Sequence, residues 1–268
     1  MAKMTEFIAG HCTHAACMAV RGAGFSSCAF PAKTYLLEAN QRHWLWDTGY
    51  AQHFMDATAS GVFALYRKVT PVYFESSQAI VTQLRQRGIG AGDLSGLILS
   101  HFHGDHIAGL KDFPDVPVIA SGRGWAETRA LRGWRALQKG FVPALMPSDI
   151  EQRLWPMEAG AKVALPEALQ PFTEGHAVPN SNDEIILVDL PGHAAGHIGA
   201  FVSCADGWHL LAADAAWDVA NYREGRLPSA LTRLIMADHG NYLATLRQLH
   251  ALDAGGQVQI HLSHDGGV

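Results

Sequence analysis

Four short apolar runs in this sequence are each followed closely by a histidine or an aspartate. The runs occupy residues 96–100, 184–190, 208–212 and 258–262, and the polar residues that follow them are His101, His193, Asp214 and His264. In α/β folds, sites are built at strand ends, because the strands fix the geometry while the loops are free to vary. Two further strand-like runs, 34–38 and 43–47, are joined by a short turn and indicate mixed rather than purely parallel sheets. The sequence therefore predicts an α/β fold with its site at the strand ends.

The stretch HFHGDH at residues 101–106 has the composition of a metal site. His101 and His103 can face one point from an extended turn, and Gly104 lets the backbone turn. Asp105 and His106 then face the same place from the start of the next helix. Neutral imidazole and carboxylate groups are common ligands of divalent metals. We therefore predict a divalent metal site, with a histidine-rich surface loop as the alternative. The cluster has no cysteine, so zinc, iron and manganese all fit.

HFHGDH resembles the H-x-H-x-D-H motif of the metallo-β-lactamase superfamily, and four other stretches resemble the remaining motifs of that family in the right order. They are WDTG with Asp47, LPGHAAGH with His193, LLAADAA with Asp214 and IHLSHD with His264. The resemblance covers nearly the whole chain and implies one domain over residues 1–268. The implied fold is an α/β sandwich of the αββα type, in which two mixed β-sheets face each other and are flanked by helices.

The resemblance also implies two divalent metal ions, with zinc expected and iron or manganese as alternatives. The implied ligands are His101, His103 and His193 for the first metal, Asp105, His106 and His264 for the second, and Asp214 as a bridge between them. Asp47 and His197 would lie behind these ligands, where Asp47 would orient one of them. A hydroxide bridging the metals would be the nucleophile, since coordination lowers the pKa of water. The expected catalytic residues are Asp105, His106 and Asp214. His261 competes with His264 for the last ligand position.

An aspartate at position 214 resembles the lactonase and glyoxalase II branches more than the β-lactamases. Acyl-homoserine lactonases of this fold often carry a tyrosine three residues after the bridging aspartate, whereas this chain has Trp217 there. We expect Trp217 and Phe102 to line the substrate pocket, and Tyr222 is the candidate to replace the missing tyrosine. Aromatic residues between 54 and 74 are expected in the pocket, in a dimer contact or in the core.

The implied function is hydrolysis of a carbonyl ester, a lactone in particular. A glyoxalase II-like thioesterase or another small-ester hydrolase is the alternative. The thioesterase is less expected, because glyoxalase II-like enzymes usually carry a C-terminal helical extension with basic residues, and this chain ends four residues after His264 (268 − 264). A β-lactamase is less expected because of Asp214. A metal-bound sensor or binding protein is the alternative that is not an enzyme.

Composition limits the partners of this chain. The net charge is −5 and charged residues make up 17%, whereas nucleic-acid-binding domains are usually basic, so we expect no nucleic-acid partner. No run reaches the roughly 20 apolar residues of a membrane span, and the N-terminus lacks a clean signal peptide. We therefore expect a cytoplasmic protein that acts on a small molecule, as a monomer or a homodimer. Residues 12–27 are expected to form a loop, and residues 125–138 a helix.

Overall fold

The computed structural model describes residues 1–265, so the last three residues of the predicted domain, 266–268, lie outside the described residues. Within this range the strands form two sheets. The strands of the first sheet are β1 (Lys3–Ala15), β2 (Ser27–Ala39), β3 (Arg42–Trp46), β4 (Val72–Tyr73), β5 (Leu94–Ile98), β6 (Val118–Ala120) and β7 (Leu154–Pro156). Those of the second are β8 (Lys162–Ala164), β9 (Glu174–Ala177), β10 (Ile185–Asp189), β11 (Ile198–Cys204), β12 (Gly207–Ala213) and β13 (Val258–Leu262).

Both sheets mix parallel and antiparallel neighbours. The strand order is β4-β1-β2-β3-β5-β6-β7 in the first sheet and β13-β12-β11-β10-β9-β8 in the second. β3 pairs in parallel with β5, whereas β2 pairs antiparallel with β1 and β3. In the second sheet, β12 is antiparallel to β11 and parallel to β13. The predicted mixed sheets are therefore confirmed.

Helices cover the outer faces of the sheets. They are α1 (Gln52–Ala57), α2 (Ala64–Val69), α3 (Ile80–Gln86), α4 (Gly104–Ile107), α5 (Gly122–Thr128), α6 (Gly133–Gln138), α7 (Ile150–Arg153), α8 (Val219–Arg223) and α9 (His239–Ala254), and a 3₁₀ segment spans Ala230–Leu234. Within residues 1–265, no helix combines the length and the apolar character needed to cross a bilayer.

The alternation of side chains along β2 explains how the layers are held together. Leu37 packs between the sheets against Leu187 and Val202, whereas Leu36 packs on the opposite face, in the same apolar cluster as Ile80 and Leu84 of α3. Successive side chains of a strand point to opposite faces, so a central strand that is covered on both sides must be apolar throughout. On the far side, Leu246 and Leu249 of α9 pack in one cluster with Phe201 of β11. The layers therefore run helix, sheet, sheet, helix, which confirms the predicted αββα sandwich.

Two local predictions were wrong. The expected loop at 12–27 begins as strand, because β1 extends to Ala15 through pairing with β2, where His14 lies opposite Cys28. Local composition favoured a loop, but strand pairing over a long sequence separation prevailed. The expected helix at 125–138 is divided into α5 and α6. The break falls before Gly133, whose φ of +53° is a left-handed conformation that does not continue a helix.

Candidate metal centre and its cavity

The predicted site residues converge at one edge of the two sheets. Their positions follow strand ends: Asp47 after β3, His101 and His103 after β5, Asp105 and His106 in α4, His193 after β10, Asp214 after β12 and His264 after β13. The donors form two groups. One contains His101, His103, His193 and Asp214, and the other contains Asp105, His106, Asp214 and His264. Within each group all ligand atoms lie within 4.8 Å of one another. Asp214 belongs to both, which is the arrangement that a bridging carboxylate requires.

The first group is dominated by imidazole nitrogens. His103 Nδ1 lies 3.0 Å from His193 Nε2, which lies 3.3 Å from Asp214 Oδ2. Two nitrogens that each bind one zinc ion at about 2.0–2.1 Å are separated by a similar distance. The rings of His101 and His103 also meet edge to face, with centroids 4.4 Å apart. The geometry of this group therefore suits a single divalent ion.

The second group adds carboxylate oxygens. His106 Nε2 lies 3.4 Å from both Asp105 Oδ2 and Asp214 Oδ1. His264 Nε2 lies 3.4 Å from Asp105 Oδ2 and 3.2 Å from Asp214 Oδ2. His261, the competing residue, lies outside both groups because its ring contacts His209 and Tyr35. The structure therefore brings His264, and not His261, to the cluster.

Hydrogen bonds behind the cluster set the tautomers of three histidines. Asp47 Oδ2 accepts from His106 Nδ1 at 2.8 Å, and the carbonyl oxygen of Pro31 accepts from His264 Nδ1 at 2.8 Å. Ser100 Oγ donates to Asp47 Oδ2 at 2.7 Å, so it can accept from His101 Nδ1, 2.9 Å away. With the proton on Nδ1, each Nε2 lone pair faces the cluster. Asp47 therefore acts from behind the ligands, as the sequence predicted.

His197 supports the site from another direction. Its Nε2 accepts a hydrogen bond from the backbone N–H of Asp214 at 3.2 Å. Because that nitrogen is occupied, His197 orients the bridging residue and is not itself in either donor group. Gly196 beside it is required for packing: its φ is +60°, and a Cβ there would lie 2.5 Å from Gly124 Cα in α5. A Cβ at Gly192 would likewise lie 2.1 Å from Tyr242 N, so the GHAAGH stretch combines one donor, one supporting histidine and two obligatory glycines.

Three buried atoms of the cluster that could bind a metal have no hydrogen-bond partner within residues 1–265. They are His101 Nε2, His106 Nε2 and Asp214 Oδ1. An unsatisfied buried polar atom costs roughly 1–3 kcal/mol, so an isolated site of this kind is unfavourable. Divalent cations would satisfy all three atoms, and the nitrogen and oxygen donors are of the types that such cations bind. The residues present therefore fit two divalent ions.

The two groups hold protons differently when no metal is bound. Burial lowers the pKa of His103 to about 4 and that of His197 to about 3, so both rings are neutral. Burial also opposes a charge on His264, but Asp214 and Asp105 outweigh it and raise the pKa to about 10. In turn, His264 and His106 hold the pKa values of Asp105 and Asp214 below their usual range despite burial. Metal binding must therefore expel protons from the second group.

The backbone at two of these positions is strained. Asp47 has a φ of +53°, and Ala213, directly before Asp214, has a φ of +46°. Residues with a Cβ rarely adopt the left-handed region, and such conformations typically cost on the order of 1–3 kcal/mol. The strained backbone lies where the chain directs the side chains of Asp47 and Asp214 toward the cluster.

A cavity of about 310 Å³ opens above the donors. Its floor contains His103, Asp105, His193, Asp214 and His264, and its walls include Met18, Phe30, Tyr50, Leu65, Tyr66, Val69, Leu137, Trp217, Leu231 and Ile235. Trp217 thus lies where the sequence placed it. Its indole Nε1 donates to Asp214 Oδ2 at 3.3 Å, and its ring meets that of His193 edge to face at 5.6 Å.

Two predicted pocket residues are not in this cavity. Phe102 is buried against Trp125, with ring centroids 5.4 Å apart, because it points away from its neighbours His101 and His103 in an extended segment. Tyr222 lies on α8 and lines a separate depression with Arg223 and His250. It therefore cannot replace the tyrosine missing at position 217.

The sequence analysis missed other wall residues. Tyr50 lies just beyond the WDTG stretch, and that proximity is a signal that could have identified it. Tyr66, one of the aromatic residues in the 54–74 segment, lines the cavity, whereas Phe54 of the same segment is fully buried. Leu231 and Ile235 lie in or beside a short 3₁₀ segment, where no periodic pattern marks them.

Comparison with known proteins identifies the family. Residues 29–255 match the family described as the metallo-beta-lactamase superfamily. A probable metallo-hydrolase of Mycobacterium tuberculosis is 26% identical over 237 residues, which cover 86% of this chain and 70% of that protein.

Solved structures share the fold. AiiA of B. thuringiensis, in a mutant form with N-decanoyl-L-homoserine at its active site, has a TM-score of 0.73 at 19% identity, covering 98% of this chain and 93% of that one. AidC, a dizinc quorum-quenching lactonase, has a TM-score of 0.66 at 15% identity and covers 99% of this chain and 88% of that one. The family match over most of the chain confirms the resemblance seen in the motifs, and this protein is therefore a metallo-hydrolase of the metallo-beta-lactamase superfamily.

Proposed function

We propose that this protein is a dinuclear metal-dependent esterase whose substrate is a lactone with an apolar substituent. The observation that carries the proposal is the position of the two donor groups, which share Asp214 and form the floor of an apolar cavity. Zinc is the proposed metal, because three imidazoles with a shared carboxylate are a common zinc ligand set. When bound, the two ions would lower the pKa of water toward ~7 and polarise the ester carbonyl.

The chain's own residues prepare this chemistry. Asp47, Ser100 and the Pro31 carbonyl orient three imidazole rings so that each Nε2 faces the cluster, and little reorientation of the rings is needed on metal binding. Asp214 joins the two groups, while Trp217 donates to its Oδ2. Asp105 and His106 belong to the second group, so we propose that they and Asp214 act as catalytic residues by holding the metals against the substrate.

A phenol in the cavity wall offers a further hydrogen bond. Burial, together with Asp105 and Cys12, raises the pKa of Tyr66 well above its usual value. The Tyr66 hydroxyl therefore stays protonated and can donate to a carbonyl or alkoxide oxygen. We propose Tyr66 as the donor that Trp217 cannot supply.

The walls favour an uncharged, partly apolar ester. The described residues that line the cavity include no lysine and no arginine, which a phosphodiester or the carboxylates of a glutathione thioester would call for. Leu65, Val69 and Leu231 provide an apolar path from the floor to the surface. The solved AiiA structure with N-decanoyl-L-homoserine at its active site supports the same substrate class.

The test combines metal analysis with a substrate panel. The protein is purified without added metal, its metal content is measured, and hydrolysis is assayed on short- and long-chain acyl-homoserine lactones, a γ-lactone, an aryl ester, a glutathione thioester, a phosphodiester and a cephalosporin. We expect at least two metals per chain and chelator-sensitive lactone turnover. His103→Ala and Asp214→Ala should abolish turnover, whereas His53→Ala, a histidine outside both donor groups, should not.

Each other outcome has a defined meaning. Two metals with turnover of a thioester alone would keep the hydrolase and discard the lactone. Little bound metal and no turnover of any substrate would favour a sensor or binding protein. Unchanged activity in both folded ligand variants would refute the assigned site.

A further inference from the structure

A second set of metal-binding side chains lies at the opposite end of β12 from Asp214. Cys204 ends β11, Asp206 lies in the turn and His209 lies in β12, and one ligand atom from each falls within 4.8 Å of the others. Asp214 lies five positions after His209, and at ~3.3 Å per strand residue this corresponds to roughly 16 Å. The set therefore lies well apart from the catalytic donors.

Strand pairing places two of these residues on one face of the sheet. His209 pairs with Val202, and Cys204 lies two residues further along the same strand as Val202. Paired residues and residues two apart project to the same face, so the thiol and the imidazole approach each other there. Both side chains are buried, whereas Asp206 is exposed in the turn. Two donors are thus fixed by the sheet, and the third reaches them from solvent.

Each ring nitrogen of His209 has a polar neighbour. His209 Nδ1 lies 2.9 Å from His261 Nε2, while His209 Nε2 lies 3.0 Å from Asp206 Oδ1. His261 Nε2 can accept a hydrogen bond from His209 Nδ1 when the proton of the His261 ring lies on its own Nδ1. If His209 donates from Nδ1, its Nε2 lone pair faces the carboxylate of Asp206. In that tautomer Nε2 and the carboxylate form a pair of acceptors 3.0 Å apart that a bound cation would bridge, and the outer hydrogen bond from Nδ1 is the kind that supports histidine ligands.

We propose that Cys204, Asp206 and His209 bind a divalent cation that accepts thiolate, such as Zn²⁺, with water completing the coordination. A thiolate with imidazole and carboxylate favours zinc-like ions over Mg²⁺ and Ca²⁺, which prefer oxygen ligands. Binding takes the proton from the Cys204 thiol and from any Nε2–H on His209, and both protons pass to solvent. The bound ion would join the β11–β12 turn and, through His261, the neighbouring strand β13.

The thiol gives this site a spectroscopic signature. Within residues 1–265 both catalytic donor groups contain only histidine and aspartate, so they cannot produce a thiolate-to-cobalt charge-transfer band. The metal-free full-length protein is titrated with Co²⁺ and the near-ultraviolet absorbance is recorded. We expect a thiolate band and a total of three cobalt ions per chain. Cys204→Ser should remove the band and reduce the total to two.

Two variants act as controls, and a third tests the ligand Asp206. Cys12→Ser tests the other thiol near a metal centre, since Cys12 lines the catalytic cavity, and the band should persist in that variant. Asp206→Asn changes an exposed turn residue, so the fold should tolerate it, and we expect cobalt affinity at this site to fall at least tenfold with hydrolytic activity unchanged. Asp183→Asn, a matched exposed turn carboxylate, should leave both properties unchanged.

The proposal is overturned if no thiolate band forms at excess Co²⁺. It is also overturned if the band survives Cys204→Ser or disappears in Cys12→Ser. If Cys204→Ser fails to fold, an unaltered band and stoichiometry in Asp206→Asn and His209→Gln would overturn it equally. None of these results bears on the lactonase assay, which depends on the catalytic donors.

Discussion

Asp214 contacts several of the other site residues. Its two oxygens approach His193, His106 and His264 at 3.2–3.4 Å, and its backbone N–H is held by His197. The indole of Trp217 adds a hydrogen bond to Oδ2, and Asn221 Oδ1 accepts from the Trp217 backbone N–H at 2.9 Å. The orientation of this carboxylate thus depends on residues that do not themselves bind metal.

Trp217→Phe should weaken metal binding while keeping most of the ring packing. A hydrogen bond to a charged group contributes about 1.5–3 kcal/mol, and this one is long, so we expect roughly a tenfold loss of metal affinity. Competition with a chelator measures the loss. Trp134→Phe, at an exposed position outside the cavity, is the matched control. Equal affinities for the two variants would show that the indole N–H does not orient Asp214.

Asp47→Asn tests the residue behind His106. The amide keeps the shape of the side chain but offers only one oxygen for the three hydrogen bonds now made from Ser100 and His106. Loss of such supporting groups typically lowers metal affinity or activity about 10- to 100-fold. Metal content after dialysis and kcat both measure the effect. Asp189→Asn, an exposed carboxylate paired with Arg123, should behave like the unaltered protein, and a similar Asp47→Asn protein would contradict the role.

At the scale of elements, the mouth of the cavity is built by α2 and the 3₁₀ segment Ala230–Leu234. Leu65 and Val69 lie four residues apart on α2 and are 39% and 60% exposed, and Leu231 opposite is 66% exposed. The segment after α2 is tied to β1 by the His14–Thr70 hydrogen bond of 3.0 Å and by the pairing of β1 with β4. An apolar mouth on a fixed support suits the tail of an amphiphilic ester.

Val69→Asp should discriminate substrates by chain length. A charge at the mouth removes apolar contact that is worth about 0.8 kcal/mol for each buried CH₂ group of a long acyl chain. We expect kcat/KM to fall about tenfold for a decanoyl lactone and less than twofold for a butanoyl lactone. Phe25→Asp, an exposed position that does not line the cavity, is the control. An equal fall for both lactones would argue against a tail at this mouth.

For the whole molecule, the buried histidines make the stability of the metal-free protein depend on pH. Burial keeps the pKa of His103 near 4 and of His197 near 3, and lowers those of His101 and His193 as well. An unfolded histidine titrates near 6.5, so below that pH the unfolded chain binds more protons than the folded one and stability falls. The pKa values of His106 and His264 are raised, so their contribution is complete below pH ~6.5 and is lost as pH rises toward the raised pKa, about 10 for His264.

The chelator-treated protein should therefore be most stable near pH ~6.5. Each buried neutral histidine contributes on the order of 1 kcal/mol per pH unit to the loss on the acid side. Urea unfolding at pH ~4.5, ~6.5 and ~8.5 measures the free energy of unfolding. The metal-loaded protein is the control, because bound ions keep the histidines deprotonated and should flatten the profile above pH ~6.5. A flat profile for the metal-free protein would contradict the assigned pKa shifts.

The family, the mixed sandwich and the residues of the donor cluster are predictable from the amino-acid sequence alone. This is so because five short motifs occur in the order typical of the superfamily, and several of them directly follow apolar runs. Asp47, His193, Asp214 and His264 were all recognisable in this way.

The residues that line the cavity depend on how distant segments pack against one another. The cavity walls come from β1, from the segment after β3, from α2 and from the 3₁₀ segment, which meet only when the sheets have packed. For that reason Tyr66 and Leu231 line the cavity, while Phe102 and Tyr222 do not. The same packing holds His209 against His261, whereas Cys204 and His209 are brought together locally by the pairing of β11 with β12. Side-chain contacts between distant segments depend on the whole fold, and so they cannot be read from spacing along the chain.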